Sequence, residues 1–252
     1  MSLVVAAPAT GESAEKAPTG PSQDVAALMA ATELPPVDPV PPRDVSFDPF
    51  PSHTYGNLED VACIVALENR QIPYERFGRH ARGVATPVRL MGPLHGIHFQ
   101  HADATDWLAS ARREIMDCRL VLALDDLAGL LAPSGVTTVF HYGIYRDDLP
   151  LPAHGRPLHH TAGLAIDVAA LVKEDGTRLE VQRDWRGHVG ARTCDAAAVP
   201  SANAQTGELH AILCEVAKEK IFHQVLTPNH NAAHWNHFHL EVMRGTEWTL
   251  VE

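Results

Sequence analysis

The chain has no apolar run of about 18 residues or more, no pair of closely spaced cysteines and no block of basic residues. The first absence excludes a transmembrane helix. Met1 to Ala7 also lack a basic stretch and an apolar segment of sufficient length, so no signal peptide is expected there. That leaves a cytoplasmic protein or one numbered from a processed start. The second absence speaks against a zinc ribbon or a thioredoxin-type motif, because Cys63, Cys118, Cys194 and Cys214 are far apart. Four cysteines allow two disulfides in an exported protein, but the pairing stays open. Cys63 and Cys214 lie in helical apolar patterns, where a reduced core cysteine fits equally well. Cys194 has no base beside it and is expected to be a disulfide partner rather than a nucleophile. The third absence, with a net charge of -11, argues against a nucleic-acid surface. Residues 1–46 have no aromatic residue, and the first 51 residues hold ten of the nineteen prolines. Such a stretch buries too little apolar surface to offset the entropy of ordering it. It reads as a disordered Ala/Pro-rich tether, with one short helix possible over 24–32.

Histidine is what the chain has in excess: sixteen of them, most between His154 and His239. The expected folded part is 47–252, with an N-terminal helical and strand portion over 47–135 and a core over 136–245. Asn57 can cap a helix running to Glu68. Val88–Leu90 and Gly96–Phe99 read as strands around the Pro93–His95 turn, and 106–113 as a helix start. Leu120–Leu131 is a helix stopped by Pro133 and Gly135. Val136–Tyr142 is a strand. Leu164–Leu171 and Arg178–Gln182 form a strand pair, and Leu209–His223 is a helix by its apolar spacing. The expected fold class is α+β, a mainly antiparallel sheet flanked by helices.

Two stretches carry the chemistry. In His234-Trp235-Asn236-His237-Phe238-His239-Leu240-Glu241-Val242, strand alternation sends His237 and His239 to one face and Phe238 and Leu240 to the other. Paired imidazoles fill a core poorly but suit a metal and its water. In His160-Thr161-Ala162-Gly163-Leu164-Ala165-Ile166-Asp167-Val168, a carboxylate stands between Ile166 and Val168, costly unless paired or metal-bound. Ala165 leaves room beside it, and Gly163 lets the backbone turn from His160 into the strand. Nitrogen and carboxylate donors of this kind suit zinc. Trp185 and Trp235 read as core or pocket wall, and His141 and Tyr142 as residues of the site floor. Histidines 53, 95, 98, 101, 141, 188, 210 and 223 are assigned no metal role.

His160-x-x-Gly163-x-Ala165-x-Asp167 followed by His237-x-His239 resembles the HxxGxAxD…HxH signature of zinc peptidases that act on bacterial cell walls. This group includes lysostaphin-type endopeptidases, D-Ala-D-Ala carboxypeptidases, murein endopeptidases and the Hedgehog signalling domain. Within it, Ala165–Val168, Asp184-Trp185, Val225–Pro228, Asn231–His234 and His237–Leu240 are most similar to the bacterial extensin-like C-terminal domain. The resemblance is firm over 154–243 and weaker back to 57. It implies a zinc ion held by His160, Asp167 and His239. It places His237 beside the metal as a proton carrier, and makes His234 similar to the extra histidine of murein endopeptidases. Carboxypeptidases keep a Glu where this chain has Asn236, which favours the endopeptidase-like reading. Leu158 replaces a usual serine, and Tyr145-Arg146 replaces Cys-Arg, so the family's disulfide lacks one cysteine here. Arg146 is the candidate for gripping a substrate carboxylate. The implied function is zinc-dependent hydrolysis of peptide bonds in peptidoglycan, in the periplasm or outside the cell. The competing expectation is a zinc-stabilised, catalytically weak module that binds cell wall or protein.

Overall fold

A computed structural model describes residues 50–77, 81–103, 114–147, 159–194 and 203–252. The expected tether at 1–46, the short helix at 24–32 and the helix start at 106–113 lie outside the described residues. The described elements make a mixed α+β fold. Helices α1 (Pro51–Gly56) and α2 (Asp60–Asn69) come first. Strands β1 (Tyr74–Arg76), β2 (Pro87–Leu90), β3 (His98–His101) and β4 (Met116–Asp117) lead to α3 (Cys118–Leu131) and β5 (Val136–His141). Strands β6 (Ala165–Lys173) and β7 (Arg178–Glu180) precede short α4 (Val181–Asp184) and α5 (Ala204–Lys218). Strands β8 (Gln224–Leu226), β9 (Phe238–Glu241) and β10 (Leu250–Val251) end the chain.

Helix α3 is the apolar axis. Its Asp117 cap accepts a hydrogen bond from the Arg119 amide, and Leu120, Leu122, Leu124 and Leu131 are buried in the main core. Gly135 ends the following turn at φ 74, a left-handed backbone that glycine adopts without Cβ strain. Disulfide Cys63–Cys118 ties α2 to the start of α3, and Cys194–Cys214 ties a loop to α5. The pairing left open by the sequence is thereby settled.

The larger sheet runs β10-β8-β9-β6-β5-β3, with β7 also on β6. β6 is its spine. β5 pairs along one edge, while β9 takes Ala165–Val168 and β7 takes Ala170–Val172 on the other. These pairs are antiparallel; β3–β5 and β10–β8 are parallel. In this register Asp167 stands directly opposite His239.

Three local expectations need correction. Asn57 closes α1 instead of opening α2, its amide and side chain both donating to the His53 carbonyl. Val88–Leu90 and 96–99 do not form a hairpin: β2 joins β1 and β4 in a separate three-stranded sheet, while β3 pairs with β5. Strand alternation says nothing about which partner a strand meets. Helix α5 ends at Lys218, and His223 donates its backbone N–H to the Glu241 carbonyl.

Candidate metal centre

The site forms where a turn, the spine strand and its neighbour β9 meet. His160 sits in the turn His159–Ala162. Gly163 follows at φ 64, and a Cβ there would lie 3.0 Å from the Asp117 amide nitrogen and 3.2 Å from the Met116 Cα. This glycine therefore supplies both the turn into β6 and space for the chain crossing over it. Asp167 is held through its backbone, its N–H donating to the Gly143 carbonyl and its C=O accepting from the Tyr142 N–H.

Three side chains converge. His160 Nε2 is 3.1 Å from Asp167 Oδ2, and His239 Nδ1 is 3.0 Å from Asp167 Oδ1. One donor atom from each of His160, Asp167 and His239 lies within 4.8 Å of the other two. The far ring nitrogens have acceptors of their own. His160 Nδ1 donates to the Ile144 carbonyl at 2.8 Å, and His239 Nε2 lies 3.4 Å from Glu241 Oε2. A ring that donates from its far nitrogen presents a lone pair from the near one. Two lone pairs and a carboxylate then face the same small space, a donor set that fits zinc. The cluster Cys63, Asp117 and Cys118 also brings donor atoms together, but its sulfurs are spent in the disulfide.

Without a cation, charge is balanced by protons. Burial opposes the charge of Asp167, yet hydrogen bonds from His160 and His239 and the nearby His237 hold it well below the usual carboxylate range. Burial alone would lower His239, but the Asp167 and Glu241 carboxylates on its two nitrogens hold it up at about 9. For Glu241, burial is likewise overcome by His159 and His239, and its carboxyl is held down at about 2.

His237 and His234 line the same space. His237 Nε2 is 3.4 Å from Asp167 Oδ1, and its Nδ1 donates to Asn236 Oδ1 at 2.8 Å. His234 Nδ1 donates to Asn231 Oδ1 at 2.9 Å, and its ring centre is 5.1 Å from that of His237. Burial lowers both pKa values, that of His234 to about 4, with the neighbouring histidine charges adding to the effect. Both rings are therefore neutral near pH 7, with Nε2 as the basic atom. The ring of Tyr142 stands edge-on to His237 at 6.3 Å. Arg146 is exposed, and its backbone N–H donates to the His160 carbonyl, which sets it at the rim.

The structure thus brings together five of the six expected site residues and places Arg146 beside them. It separates the two tryptophans: Trp185 is core, stacked on His210, whereas Trp235 is 55% exposed. A family model described as Extensin-like protein C-terminus matches residues 61–251. The chain belongs to the extensin-like C-terminus family. No curated protein matches it. The sequence reading of this extensin-like domain missed Glu241 and His159. Glu241 was visible by the rule that found Asp167, since it is a carboxylate between two core residues, Leu240 and Val242.

Proposed function

We propose that this extensin-like domain is a zinc-dependent hydrolase of peptide bonds in cell-wall peptidoglycan, of the murein endopeptidase type. The observation carrying this reading is the convergence of His160 Nε2, His239 Nδ1 and the Asp167 carboxylate, with two neutral histidines on the same space. His160, Asp167 and His239 would hold the ion. Bound there, zinc would supply a water acidified toward neutral pH and a polarised scissile carbonyl. The chain's own part is proton handling. His237 takes a proton at Nε2, and Asn236 keeps its ring in the tautomer that makes Nε2 basic. His234, oriented in the same way by Asn231, would take that proton over from His237 and deliver it to the leaving amine. Arg146 at the rim offers a guanidinium to a substrate carboxylate.

Asn236 occupies the position of the carboxypeptidase glutamate, which supports a histidine-assisted mechanism. The two disulfides support an oxidising compartment outside the cytoplasm, where peptidoglycan lies. Among the described residues no helix is long and apolar enough to cross a membrane.

The test joins metal analysis to product analysis. One zinc per chain, lost in Asp167→Ala, with fragments released from purified peptidoglycan and absent in His237→Ala, is the expected result. Zinc without fragments would replace the hydrolase by a zinc-stabilised binding module. No zinc would sink both.

A further inference from the structure

Glu241 is fully buried, stands two residues beyond His239 on β9, and has no part in the proton handling above. Both of its carboxylate oxygens are engaged. Oε1 accepts the backbone N–H of His159 at 3.1 Å, and Oε2 accepts His159 Nδ1 at 2.5 Å. The same Oε2 lies 3.4 Å from His239 Nε2. His159 makes both of its contacts from a left-handed backbone at φ 58. A non-glycine residue is uncommon there and persists only where its surroundings hold it. Here that backbone directs the amide and the ring toward one carboxylate. The His159 ring is half exposed and lies 5.8 Å from the His239 ring, covering Glu241 from solvent.

An imidazole can bind a metal through Nδ1 only if its proton sits on Nε2. A buried carboxylate on Nε2 selects that state and fixes the ring plane. We propose that Glu241 and His159 form a positioning pair that makes His239 an Nδ1 ligand: Glu241 accepts the Nε2 proton, and His159 pins the carboxylate. The inference rests on the zinc reading of the site. His159, His239 and Glu241 also bring donor atoms within 4.8 Å of one another, as a second cation site bridged by His239 would require. The direct 2.5 Å hydrogen bond between His159 and Glu241 favours positioning, because it fills the space between those two atoms.

The test uses the full chain, stripped of metal and titrated with Zn2+ against a chromophoric chelator and with Co2+ by absorption. One ion per wild-type chain is expected. Glu241→Gln should bind zinc about 10- to 100-fold more weakly and shift the cobalt spectrum. His159→Ala should move both readouts the same way by a smaller factor. His159→Asn, whose amide nitrogen can replace Nδ1 as donor, should restore them. Wild-type affinity and spectrum in both Glu241→Gln and His159→Ala would overturn the proposal and leave the zinc site standing. Two ions per wild-type chain, one of them lost in Glu241→Gln, would overturn it in favour of a bridged pair. If Glu241→Gln does not fold, an unchanged His159→Ala overturns the proposal and a weakened one rescued by His159→Asn supports it. A wild type that takes no metal removes the zinc reading and this inference together.

Discussion

Among the described residues, two buried polar clusters invite comparison, one around Arg119 and one around Asp167. In the N-terminal part, Arg119 is fully buried, its guanidinium donating to Asp117 Oδ1, Asp60 Oδ1 and the Leu58 carbonyl. Asp117 in turn accepts from the Arg119 and Thr86 amides. Donors and acceptors match there, and nothing faces an empty direction. In the sheet, His160 and His239 aim their near nitrogens at Asp167, and their far nitrogens face the Ile144 carbonyl and the Glu241 carboxylate. The first arrangement is complete by itself; in the second, protons or a cation must fill the space between three converging groups.

The contrast can be broken most strongly at Asp167. Asp167→Ala should lose its zinc altogether, and peptidoglycan hydrolysis should fall by orders of magnitude while the fold survives. Retained zinc in metal analysis would count against the assigned ligand set. Next comes the satisfied cluster. Arg119→Met leaves Asp117 buried without its counter-ion and should cost about 3–5 kcal/mol in urea unfolding, with zinc per folded chain unchanged. A loss below about 1 kcal/mol would mean that the pair is structurally idle.

A pH series sharpens the comparison. In metal-free protein His239 is held at about 9, above its ordinary 6.5. A raised folded pKa gives stability that is fully present below the unfolded value and lost as pH rises through the folded one. The unfolding free energy in chelator should therefore decline between pH 6.5 and 9, with a slope approaching about 1.4 kcal/mol per pH unit. The lowered histidines, His141, His210, His223, His234 and His237, act only below that window. Zinc should abolish the slope, since His239 is then deprotonated throughout. A flat metal-free profile would remove the two-carboxylate account of this ring. The smallest effect belongs to Trp235. Being 55% exposed, it should change stability by no more than about 0.5 kcal/mol on replacement by Ala, so any loss of hydrolysis reports substrate contact.

The residues of the candidate metal centre are legible because each breaks a local rule. Asp167 interrupts an apolar strand, and His237 and His239 alternate onto one face, patterns that need no tertiary knowledge. Glu241 broke the same rule and was overshadowed by the histidines beside it. Partnerships were less legible. Cys63 meets Cys118 across 55 residues, and nothing near either cysteine encodes the other. The strands at 87–90 and 98–101 have sound local patterns but go to different sheets, a choice made by long-range packing. The partner of His159 is likewise illegible locally, since Glu241 lies 82 residues later.

Asp117 belongs to both clusters. Its carboxylate completes the Arg119 network, while its amide donates to the Gly163 carbonyl at 2.8 Å and lies where a Cβ on Gly163 would go. The glycine inside the ligand motif is thus imposed from the other half of the molecule. A fragment beginning at Val136 would contain every expected ligand and the contacts of His159 with Glu241, but would lack the Asp117 amide that holds the Gly163 carbonyl. The candidate metal centre and the N-terminal half thus share a hydrogen bond and a close backbone approach, and a fragment without β4 loses both.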